Sequence, residues 1–579
     1  MSASSLLSVF LDNPAVILTV GALMCIATPR HLAGVIMLAA TAISAAKLHS
    51  LGLGDYGGIE LFGEEIITIR IDRLSRIFAV VFHIAIALNV IYAWGQKDRA
   101  QNFATLAYPA AALGGVLAGD FITLFIWWEM AAITSVFLVW APGTRATYVS
   151  GMRYLAIQIL SGVMLLGGIV LFYRETGSLA FDAIGLRDGN GVIKFSALVI
   201  FLAFGIKSAF PLLHNWVQDA YPKSTISGTI ILSVFTTKLA VYALARGFAG
   251  TTELIYIGAV MTIFPIFFAL IENDLRKVLT YSINNQVGFM VVGIGIGTAA
   301  SLNGAVGYAF SNIIFESLLF MAVGAAMFRT GTSKATELGG LYRTMPLTLI
   351  FCIIGALSIS AFPGFAGFVT KGLIVDGAGG FSLVIWLTLL FASAGVLEHA
   401  GIKIPYFTFF AHDSGKRPKE APVPMLIAMG VAAVLSVGIG VYPEPLYALL
   451  PDQAQIAGYH PYSAYHIIEQ LQLLLWAILA FAVLILIKWY PAEVPSTNLD
   501  TDWLYRVPGR ALVTWAASAA RATWNALWGI FSDRVNVLMA RIYAVHGPEG
   551  QLARNWPIGF MALWTAVLLG LVLVLSFLA

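Results

Sequence analysis

Five charged side chains each stand alone inside an apolar stretch long enough to cross a lipid bilayer. They are Glu129, Lys207, Lys238, Glu316 and Lys371. A charge at the centre of a membrane helix costs about 2.5–3.5 kcal/mol on insertion scales, so five of them would cost about 10 kcal/mol or more. A penalty of that size is comparable to the whole stability of many proteins. We therefore predict that these side chains are paired or hydrated inside a bundle of helices.

A carboxylate near a buried lysine is an arrangement suited to proton transfer. Such a lysine can exchange its proton near neutral pH when its acidic partner moves or is itself protonated. We predict that Glu129 controls the charge of Lys207, and that Lys238 relays protons toward Lys371. The same residues are also compatible with a static network of ion pairs that only fixes helix packing.

Two of the apolar stretches contain the same four residues, Ser-Ala-Phe-Pro, ending at Pro211 and at Pro363. Proline removes a backbone hydrogen bond and breaks or kinks a helix. In hydrocarbon this is tolerated only where neighbours or water satisfy the freed carbonyls. Paired broken spans are typical of transporters built from inverted repeats. His214, just after Pro211, either extends a proton path or sits at a capped helix end.

The composition is that of a polytopic α-helical membrane protein. Of 579 residues, 59% are hydrophobic and 11% are charged, with a mean hydropathy of +0.85, whereas about a quarter of an ordinary soluble domain is charged. The net charge of +3 gives no indication of nucleic-acid binding, and the two cysteines predict neither a disulfide framework nor a metal centre. Phosphate-binding, haem and metal motifs are absent from the sequence. We therefore predict no cofactor, no enzymatic activity, and ion gradients as the energy source.

Hydropathy predicts about sixteen transmembrane helices, because runs near twenty residues recur along the chain. The predicted spans are 6–28, 31–50, 74–95, 102–119, 121–141, 148–173, 194–218, 224–246, 252–271, 278–298, 301–328, 345–377, 381–410, 422–442, 465–490 and 556–578. The first span lacks a preceding basic region, which favours a retained helix over a cleaved signal.

Basic residues in the short loops predict the orientation. Most of them fall in odd-numbered loops, which places those loops in the cytoplasm and the N-terminus outside. The second loop dissents with Arg70 and Arg73, and the sixth with Arg187 and Lys194. The alternating sequence IITIRI at the end of the second loop predicts a small external β-hairpin.

Residues 510–543 differ from the predicted spans because their apolar side chains recur at spacings of three and four. These side chains are Trp524, Leu527, Trp528, Phe531, Val535, Leu538 and Ile542. Polar residues fall on the opposite face, as in a helix that lies on a membrane surface. Such a helix would extend roughly 50 Å. An ordinary soluble helical linker is the alternative.

His399 and Lys403 lie in GVLEHAGIKIPYF, near the predicted cytoplasmic end of span 381–410. A lysine at the end of a span can lay its stem along apolar surface while its ammonium stays in water. We therefore predict that these two residues anchor the helix at the membrane interface.

Several motifs occur together in a specific order. They are WWEM at 127–130, KSAFPLLHNWVQDAYPKSTISG at 207–228, KLAVYALAR at 238–246, DLRKVLTYSINNQVGFM at 274–290 and FPGFAGFVTKGLI at 362–374. In combination they resemble the antiporter-like membrane subunits shared by Mrp-type multisubunit cation/proton antiporters and respiratory complex I. The segments KIPYFTFFAHDSGKR and EAPVPMLIAMG look most similar to the D-type Mrp subunit.

The resemblance implies an all-α fold with a fourteen-helix core, built from two inverted five-helix repeats with one broken helix in each. It also implies proton transfer along a central polar axis at Glu129, Lys207, Lys238 and Lys371. One departure concerns Glu316, where family members commonly have a histidine or lysine. Its carboxylate is expected to pair with one of the two lysines Lys238 and Lys371, or to contribute to a cation site.

The other departure is at the C-terminus, where a further span, the amphipathic helix and a final span follow the usual fourteen. This resembles the lateral brace of the distal complex I subunit and implies a helix that clamps a neighbouring subunit. The predicted organisation is 1–119 (N-terminal helices and hairpin), 120–250 (first repeat), 251–410 (second repeat), 411–495 (C-terminal core helices), 496–550 (lateral helix) and 551–579 (final anchor).

The resemblance implies a proton-translocating subunit that exchanges protons for a monovalent cation, sodium, across a bacterial cell (inner) membrane. The implied partners are other membrane subunits of a hetero-oligomeric complex, the ions and the lipid bilayer, without nucleic acid. Two alternatives stay open. The chain is either a proton-pumping subunit of a redox-driven complex related to complex I or membrane-bound hydrogenase, or a scaffold subunit that transports nothing.

Overall fold

The computed structural model describes residues 12–61, 63–490, 494, 498, 500–550 and 557–578. The chain divides by its internal contacts into two units, Met1–Asp500 and Thr501–Ala579. Within the described residues, the first unit is a bundle of helices with one β-hairpin.

The first half of the bundle contains nine helices among the described residues. They are Pro14–Ala27, Ala33–Ser50, Arg73–Tyr92, Arg99–Leu117, Phe121–Trp140, Arg145–Thr176, Phe195–Lys207, Asn215–Ala220 and Ile226–Gly247. Side chains define several of their first turns. Asp120, for example, accepts a hydrogen bond of 2.8 Å from the backbone N–H of Thr123, which satisfies an otherwise unpaired donor at the helix start.

The second half of the first unit continues with further helices. They are Thr252–Ile271, Leu275–Ile296, Ala299–Thr330, Pro346–Ile359, Ala366–Phe381, Leu383–Phe410, Val423–Val441, Glu444–Tyr447, Gln453–Ile456 and Ala464–Leu486. The helix Leu383–Phe410 contains two π-helical segments, Leu397–Ile402 and Tyr406–Phe410. Such wide turns occur often at functional sites.

Eleven helices in the described part of the chain are long and apolar enough to cross a membrane. The prediction of a multi-pass α-helical membrane protein is therefore confirmed. Every predicted span contains described helical residues, but Arg99–Leu117 and Leu275–Ile296 do not reach the apolar composition of the other spans. The total of sixteen spans and the inverted repeats stay predictions.

The helices Ile226–Gly247, Leu275–Ile296 and Ala299–Thr330 are largely enclosed by the rest of the bundle. They pack against one another at the centre of the bundle. Lipid-facing surface must be apolar because hydrocarbon offers no hydrogen bonds. Most polar and charged side chains of these three helices therefore lie in the protein interior.

The first broken helix is interrupted between Phe195–Lys207 and the short helix Asn215–Ala220. Pro211 lies inside the interruption. Ala209 and Leu212 adopt left-handed backbone conformations, with φ of 60° and 70°, which non-glycine residues rarely do. An irregular segment with left-handed residues thus interrupts the helix in the middle of a span.

The second broken helix repeats this arrangement between Pro346–Ile359 and Ala366–Phe381. Pro363 lies in the interruption, and Ala361 is left-handed with a φ of 58°. The two breaks therefore share their proline and a strained alanine two residues earlier. Strain of this kind persists only where surrounding structure enforces it.

The second loop forms the hairpin that its alternating sequence predicts. Strand Gly54–Leu61 pairs antiparallel with strand Glu64–Ile71. The hairpin covers the end of a helix, because the backbone N–H of Gly119 donates to the oxygen of Ile67 at 3.0 Å. That it lies outside the cell stays a prediction.

The second unit contains the predicted amphipathic helix and the final apolar helix. The first, Arg510–His546, has 37 residues and is therefore about 55 Å long at 1.5 Å per residue. The rings of Trp524 and Trp528 stack at a distance of 6.4 Å, and Phe531 continues the apolar face. The last helix is Ile558–Leu578. A position of the amphipathic helix on a membrane surface stays a prediction.

Candidate functional site

Lys207 is the last residue of the first half of the first broken helix. Its side chain is fully buried, and Nζ donates a hydrogen bond of 2.6 Å to the backbone oxygen of Trp128. The ammonium also lies 4.3 Å from the centre of the Trp128 ring, a cation–π geometry. The carboxylate of Glu129 is near enough to attract this charge. The fold thus brings the two residues of the predicted pair to the same break.

The Trp128 side chain is fixed by a short chain of hydrogen bonds. Its indole N–H donates to Oγ of Ser161 at 3.0 Å, and that hydroxyl donates to the backbone oxygen of Ala203 at 2.8 Å. Trp128, Ser161 and Ala203 lie on three different helices. The surface that holds the Lys207 ammonium is therefore set by the packing of all three.

Glu129 lies against Gly162 so closely that the glycine has no room for a side chain. A Cβ at that position would stand 1.3 Å from Oε1 of Glu129. Oε1 has no hydrogen-bond partner among the described residues, and the same holds for both polar atoms of the buried Gln158. Buried polar groups normally bond to protein or to ordered water. We infer that this notch is a place where water can bind.

Lys238 and Glu316 form an ion pair at the centre of the bundle. Nζ of Lys238 lies 2.8 Å from Oε2 of Glu316, and the two side chains are 0% and 1% exposed. Nζ also donates to the backbone oxygen of Ser233 at 3.0 Å. Glu316 thus pairs with Lys238, one of the two lysines that the sequence left open. In the described part of the chain, no cluster of three or more His, Cys, Asp or Glu residues is suited to a metal ion.

Lys371 lies in the second half of the second broken helix and is 2% exposed. Its Nζ lies 4.0 Å from the centre of the Phe289 ring. None of the described residues forms a hydrogen bond with this ammonium. Instead it lines a cavity of about 40 Å³. The second lysine therefore has water-sized space beside it, where the first has a backbone carbonyl.

His214 lies just beyond the first break and is buried. Its Nε2 is 3.1 Å from Oδ2 of Asp500, which also accepts a hydrogen bond of 3.0 Å from the hydroxyl of Tyr281. Nδ1 of His214 has no partner among the residues that the structure describes. His214 is thus held by an acidic residue from the end of the first unit. It also stands at the start of the helix Asn215–Ala220, where its side chain makes no capping hydrogen bond, and its part in a proton path stays a prediction.

Asp219, outside the long apolar spans, anchors the chain beyond the first break. Its carboxylate forms ion pairs with Arg153 and Lys223, each at 2.6 Å. Burial acts to raise the pKa of Asp219, but Lys223 and Arg153 together lower it to about 2. The group is therefore ionised at neutral pH and holds structure here without exchanging a proton.

The three central helices carry buried polar atoms that have no hydrogen-bond partner in the described part of the chain. Among the described residues they belong to Thr237, Ser282, Asn284, Ser311 and Asn312, all of them buried. No hydrogen bond or ion pair within that described part joins Lys207, Lys238 and Lys371 directly. Unpaired groups of this kind commonly bind ordered water. Proton movement between the three lysines would therefore run through water.

The comparisons with known proteins agree with this geometry. Residues 118–397 match the family described as NADH:quinone oxidoreductase/Mrp antiporter, TM. This range contains all five lone charges and both broken helices. Nearly half of the chain thus matches the model of this family. The resemblance inferred from the sequence is thus confirmed.

Relatives of the antiporter-like chain include proteins named putative antiporter subunit mnhD2. The one from Staphylococcus epidermidis is 25% identical over 408 residues, which are 66% of this chain and 81% of that protein. The one from Staphylococcus haemolyticus is 26% identical over 390 residues, which are 64% of this chain and 78% of that protein. Both names agree with the resemblance to the D-type subunit.

Three solved structures share the fold. A chain of the Mrp complex from Dietzia sp. DQ12-45-1b has a TM-score of 0.74 at 22% identity, over 93% of this chain and 63% of that chain. The present chain thus spans less than two thirds of that Mrp chain. A chain of the membrane-bound sulfane sulfur reductase, an archaeal respiratory membrane complex, has a TM-score of 0.68 at 22% identity. The match covers 98% of this chain and 100% of that chain. A chain of respiratory complex I from Thermus thermophilus with bound NADH has a TM-score of 0.67 at 19% identity. The match covers 78% of this chain and 100% of that chain.

The prediction for Lys403 as a water-facing anchor of the antiporter-like subunit is wrong. Its side chain is fully buried, and Nζ donates to the backbone oxygens of Ala269, Leu270 and Glu272 at 3.2, 2.7 and 2.8 Å. Carbonyls at a helix C-terminus lack partners and attract cations. The end of the neighbouring helix Thr252–Ile271 therefore holds the ammonium inside the protein.

His399 is also buried, in the π-helical segment Leu397–Ile402, and not at the interface as predicted. Its Nδ1 lies 2.6 Å from the backbone oxygen of Gly395, and Nε2 has no partner in the described part of the chain. The imidazole is close enough to Lys371 and Lys403 to interact electrostatically with both ammonium groups. It is an additional titratable group beside the second break.

Sequence reasoning missed several residues of the site. Trp128 is the neighbour of Glu129 in the motif WWEM, and this position beside a predicted site residue could have identified it from the sequence. Gly162 has no distinguishing pattern in the chain. Asp376 lies at the end of the predicted span 345–377, and His466 lies at the start of the predicted span 465–490. These last two appeared to be boundary residues because their partnership exists only in three dimensions.

Proposed function

We propose that this chain is the proton-translocating subunit of a multisubunit antiporter that exchanges protons for a monovalent cation, sodium. The observation that carries the proposal is Lys207, fully buried at a helix break beside Glu129. A buried cation is costly unless it is compensated. A role in which the lysine gains and loses a proton during a transport cycle explains why a charged group is present at this buried position.

In this proposal a proton reaches Lys207 from the His214 side of the first break. The carboxylate of Glu129 stabilises the protonated lysine, and the proton passes on when that carboxylate moves or is itself protonated. Water held by the interior polar groups connects Lys207 with the ion pair of Lys238 and Glu316. Lys371 then receives the proton and releases it into its cavity.

The proposed partners are other membrane subunits that supply the cation path, in a bacterial cell membrane with the N-terminus outside. The relatives named as antiporter subunits and the Mrp complex support this assignment. The helix Arg510–His546 is proposed to clamp a neighbouring subunit. Deleting residues 510–579 should release a neighbouring subunit, so the purified complex should lose more mass than the deleted residues account for. A loss equal to the deleted residues alone would remove the clamp from the proposal.

A redox-driven proton pump is the second candidate. The archaeal sulfane sulfur reductase chain is covered over its full length by 98% of this chain, including the C-terminal helices, whereas the Mrp chain is covered over 63% of its length. The two candidate functions differ in the subunits that would surround this chain in its complex. Co-purified small antiporter subunits favour the first, and co-purified iron–sulfur or flavin subunits favour the second.

The central experiment measures ion-driven proton flux in vesicles that contain the whole complex. Lys207→Ala and Glu129→Ala should each lower the flux by about 100-fold or more, the lower range for a lost proton-transfer group. Lys207→Arg keeps the positive charge but does not release its proton, so it should also fail. Lys97→Ala, which alters an exposed loop lysine, is the control and should keep full flux.

Assembly must be checked in parallel by the size of the detergent-purified complex. Full flux in both alanine variants would leave the third reading, a scaffold whose charges only pack helices. Full flux in Lys207→Arg alone would mean that the lysine acts as a fixed charge.

A further inference from the structure

The cavity beside Lys371 has chemical groups at both of its ends. Its volume of about 40 Å³ is enough for about three waters at roughly 10–15 Å³ of probe-occupied volume each. Its lining includes Ala361 at the second break, Lys371, Asp376, His466 and Glu469. The cavity therefore joins a helix break to a group of titratable side chains.

The inner end of the cavity is the Lys371 ammonium. This side chain is 2% exposed, and Nζ forms no hydrogen bond with any described residue. The ring of Phe289 covers its other side at 4.0 Å. An ammonium without protein acceptors must be hydrated or lose its proton. The cavity is the space from which water can reach it.

The outer end is a histidine–aspartate pair. Nε2 of His466 lies 3.1 Å from Oδ2 of Asp376, and their side chains are 24% and 40% exposed. Nδ1 of His466 is buried and has no partner in the described part of the chain. Glu469 follows three residues later on the same helix face. The pair is thus partly exposed at the protein surface and also lines the cavity.

The groups that face His466 come from all the neighbouring elements. Lys371 and Asp376 lie on the second half of the broken helix, and Glu469 on the histidine's own helix. The ring of Tyr459, from the preceding loop, lies 6.0 Å from the imidazole. Asp376 follows Lys371 by five residues, so the pair stands about 7.5 Å along the helix axis from the lysine. Two or three waters can bridge that distance.

We propose that His466, Asp376 and Glu469 form a proton port that connects Lys371 with the aqueous phase on the predicted external side. The inference deepens the proposed function and rests on it. An incoming proton binds Nδ1 of His466, whose cation is stabilised by Asp376 and Glu469. It then leaves Nδ1 through a file of water, and a new N–H bond forms on neutral Lys371. The reverse order releases a proton.

The port is tested in the complete complex by substituting its outer pair. Wild-type flux should depend on the external pH, because the port takes its protons from that side. His466→Gln and Asp376→Asn should lower the flux by about tenfold or more and flatten this dependence. Added imidazole should restore much of the flux to His466→Ala, which a purely structural role would not allow. His460→Gln, in the adjoining loop and exposed, should behave as wild type.

A second measurement does not depend on transport. A cysteine in place of Lys371 should react with a membrane-impermeant thiol reagent added on the external side, and His466→Trp should block that reaction by filling the port. The native Cys25 and Cys352 are buried and provide the background. Reaction from the cytoplasmic side only would overturn the port.

The outcomes separate the port from the function on which it rests. If Lys207→Ala abolishes flux while His466→Gln and Asp376→Asn match His460→Gln, the port is wrong and the transport function stands. If Lys207→Ala keeps full flux, the transport function itself is wrong. Loss of flux in the port variants with an unchanged pH profile and no imidazole rescue would assign the pair a packing role and also overturn the port.

Discussion

The two broken helices look alike in sequence and hold their lysines in opposite ways. At the first break, Nζ of Lys207 is bound by the Trp128 carbonyl at 2.6 Å, lies over the indole ring and has Glu129 nearby. At the second break, Nζ of Lys371 has a ring on one side, a cavity on the other and no hydrogen-bond partner among the described residues. The shared Ser-Ala-Phe-Pro motif therefore specifies the backbone and leaves the environment of the lysine to the neighbours.

The difference suggests a division of labour. A lysine with an acidic neighbour keeps a proton until that neighbour changes, whereas a lysine that faces only water exchanges its proton with whatever phase the water reaches. The first site suits a controlled step and the second an exit or entry. The pair of Lys238 and Glu316 differs from both, since each of its charges has a buried counter-charge.

The largest effect is expected from the first break. Gly162→Ala places a methyl group 1.3 Å from the present position of Glu129 Oε1, so the carboxylate must move. A displacement of about 1 Å can cost about 100-fold in rate, and we expect proton flux to fall by that order. Gly167→Ala on the same helix has no atom within 4 Å and is the matched control for helix propensity. Equal flux in the two variants would contradict the role of the notch.

The central ion pair should give the next largest effect, on stability. Glu316→Gln leaves Lys238 buried without its counter-charge, and breaking one side of a buried pair costs about 3–5 kcal/mol. Thermal unfolding of the purified complex would measure this loss. Adding Lys238→Met should recover much of it, since the double variant buries no lone charge. A Glu316→Gln melting temperature equal to that of the wild type would show that Lys238 is neutral there.

The two break lysines should differ when each is replaced by methionine. Lys207→Met loses a charged hydrogen bond worth about 1.5–3 kcal/mol and leaves Glu129 without its cation. Lys371→Met loses no hydrogen bond to a described residue, so the stability should change by less than about 1 kcal/mol or increase. Melting temperatures of the two variants, compared side by side, check this. Equal losses would erase the contrast between the breaks.

The smallest effect is expected at Trp128. Trp128→Phe keeps an aromatic ring near Phe204, whose ring centre lies 5.3 Å away, but removes the indole donor to Ser161. We expect a loss of about 1 kcal/mol, the size of one neutral hydrogen bond with a weaker cation–π contact. A loss as large as that of Lys207→Met would mean that the indole ring, and not its backbone carbonyl, holds the lysine.

Much of the fold could be predicted from the sequence because membrane helices are local objects. Each lone charge is visible as an interruption of an apolar run, and each break is marked by its proline. The hairpin follows from the alternation that ends at Ile71, and the helix Arg510–His546 follows from its apolar stripe. These features depend on a few neighbouring residues and on the thickness of the bilayer.

Partners could not be predicted, because they depend on how helices rotate against one another. Glu316 pairs with Lys238, which lies 78 residues away, and the sequence was equally compatible with a pair to Lys371. Lys403 was misjudged for the same reason, since its acceptors are carbonyls at the end of another helix. The cavity at the second break arises where Asp376 and His466 meet, and neither residue marks that meeting in its own segment.

The contact of His214 with Asp500 has a practical consequence for engineering the chain. Asp500 is the last residue of the first unit, and its carboxylate also accepts from the hydroxyl of Tyr281. A truncation intended to remove the second unit, Thr501–Ala579, should therefore end the chain after Asp500. A truncation a few positions earlier would also remove the Asp500 carboxylate from its contacts with His214 and Tyr281. The resulting defect would be mistaken for an effect of losing the second unit.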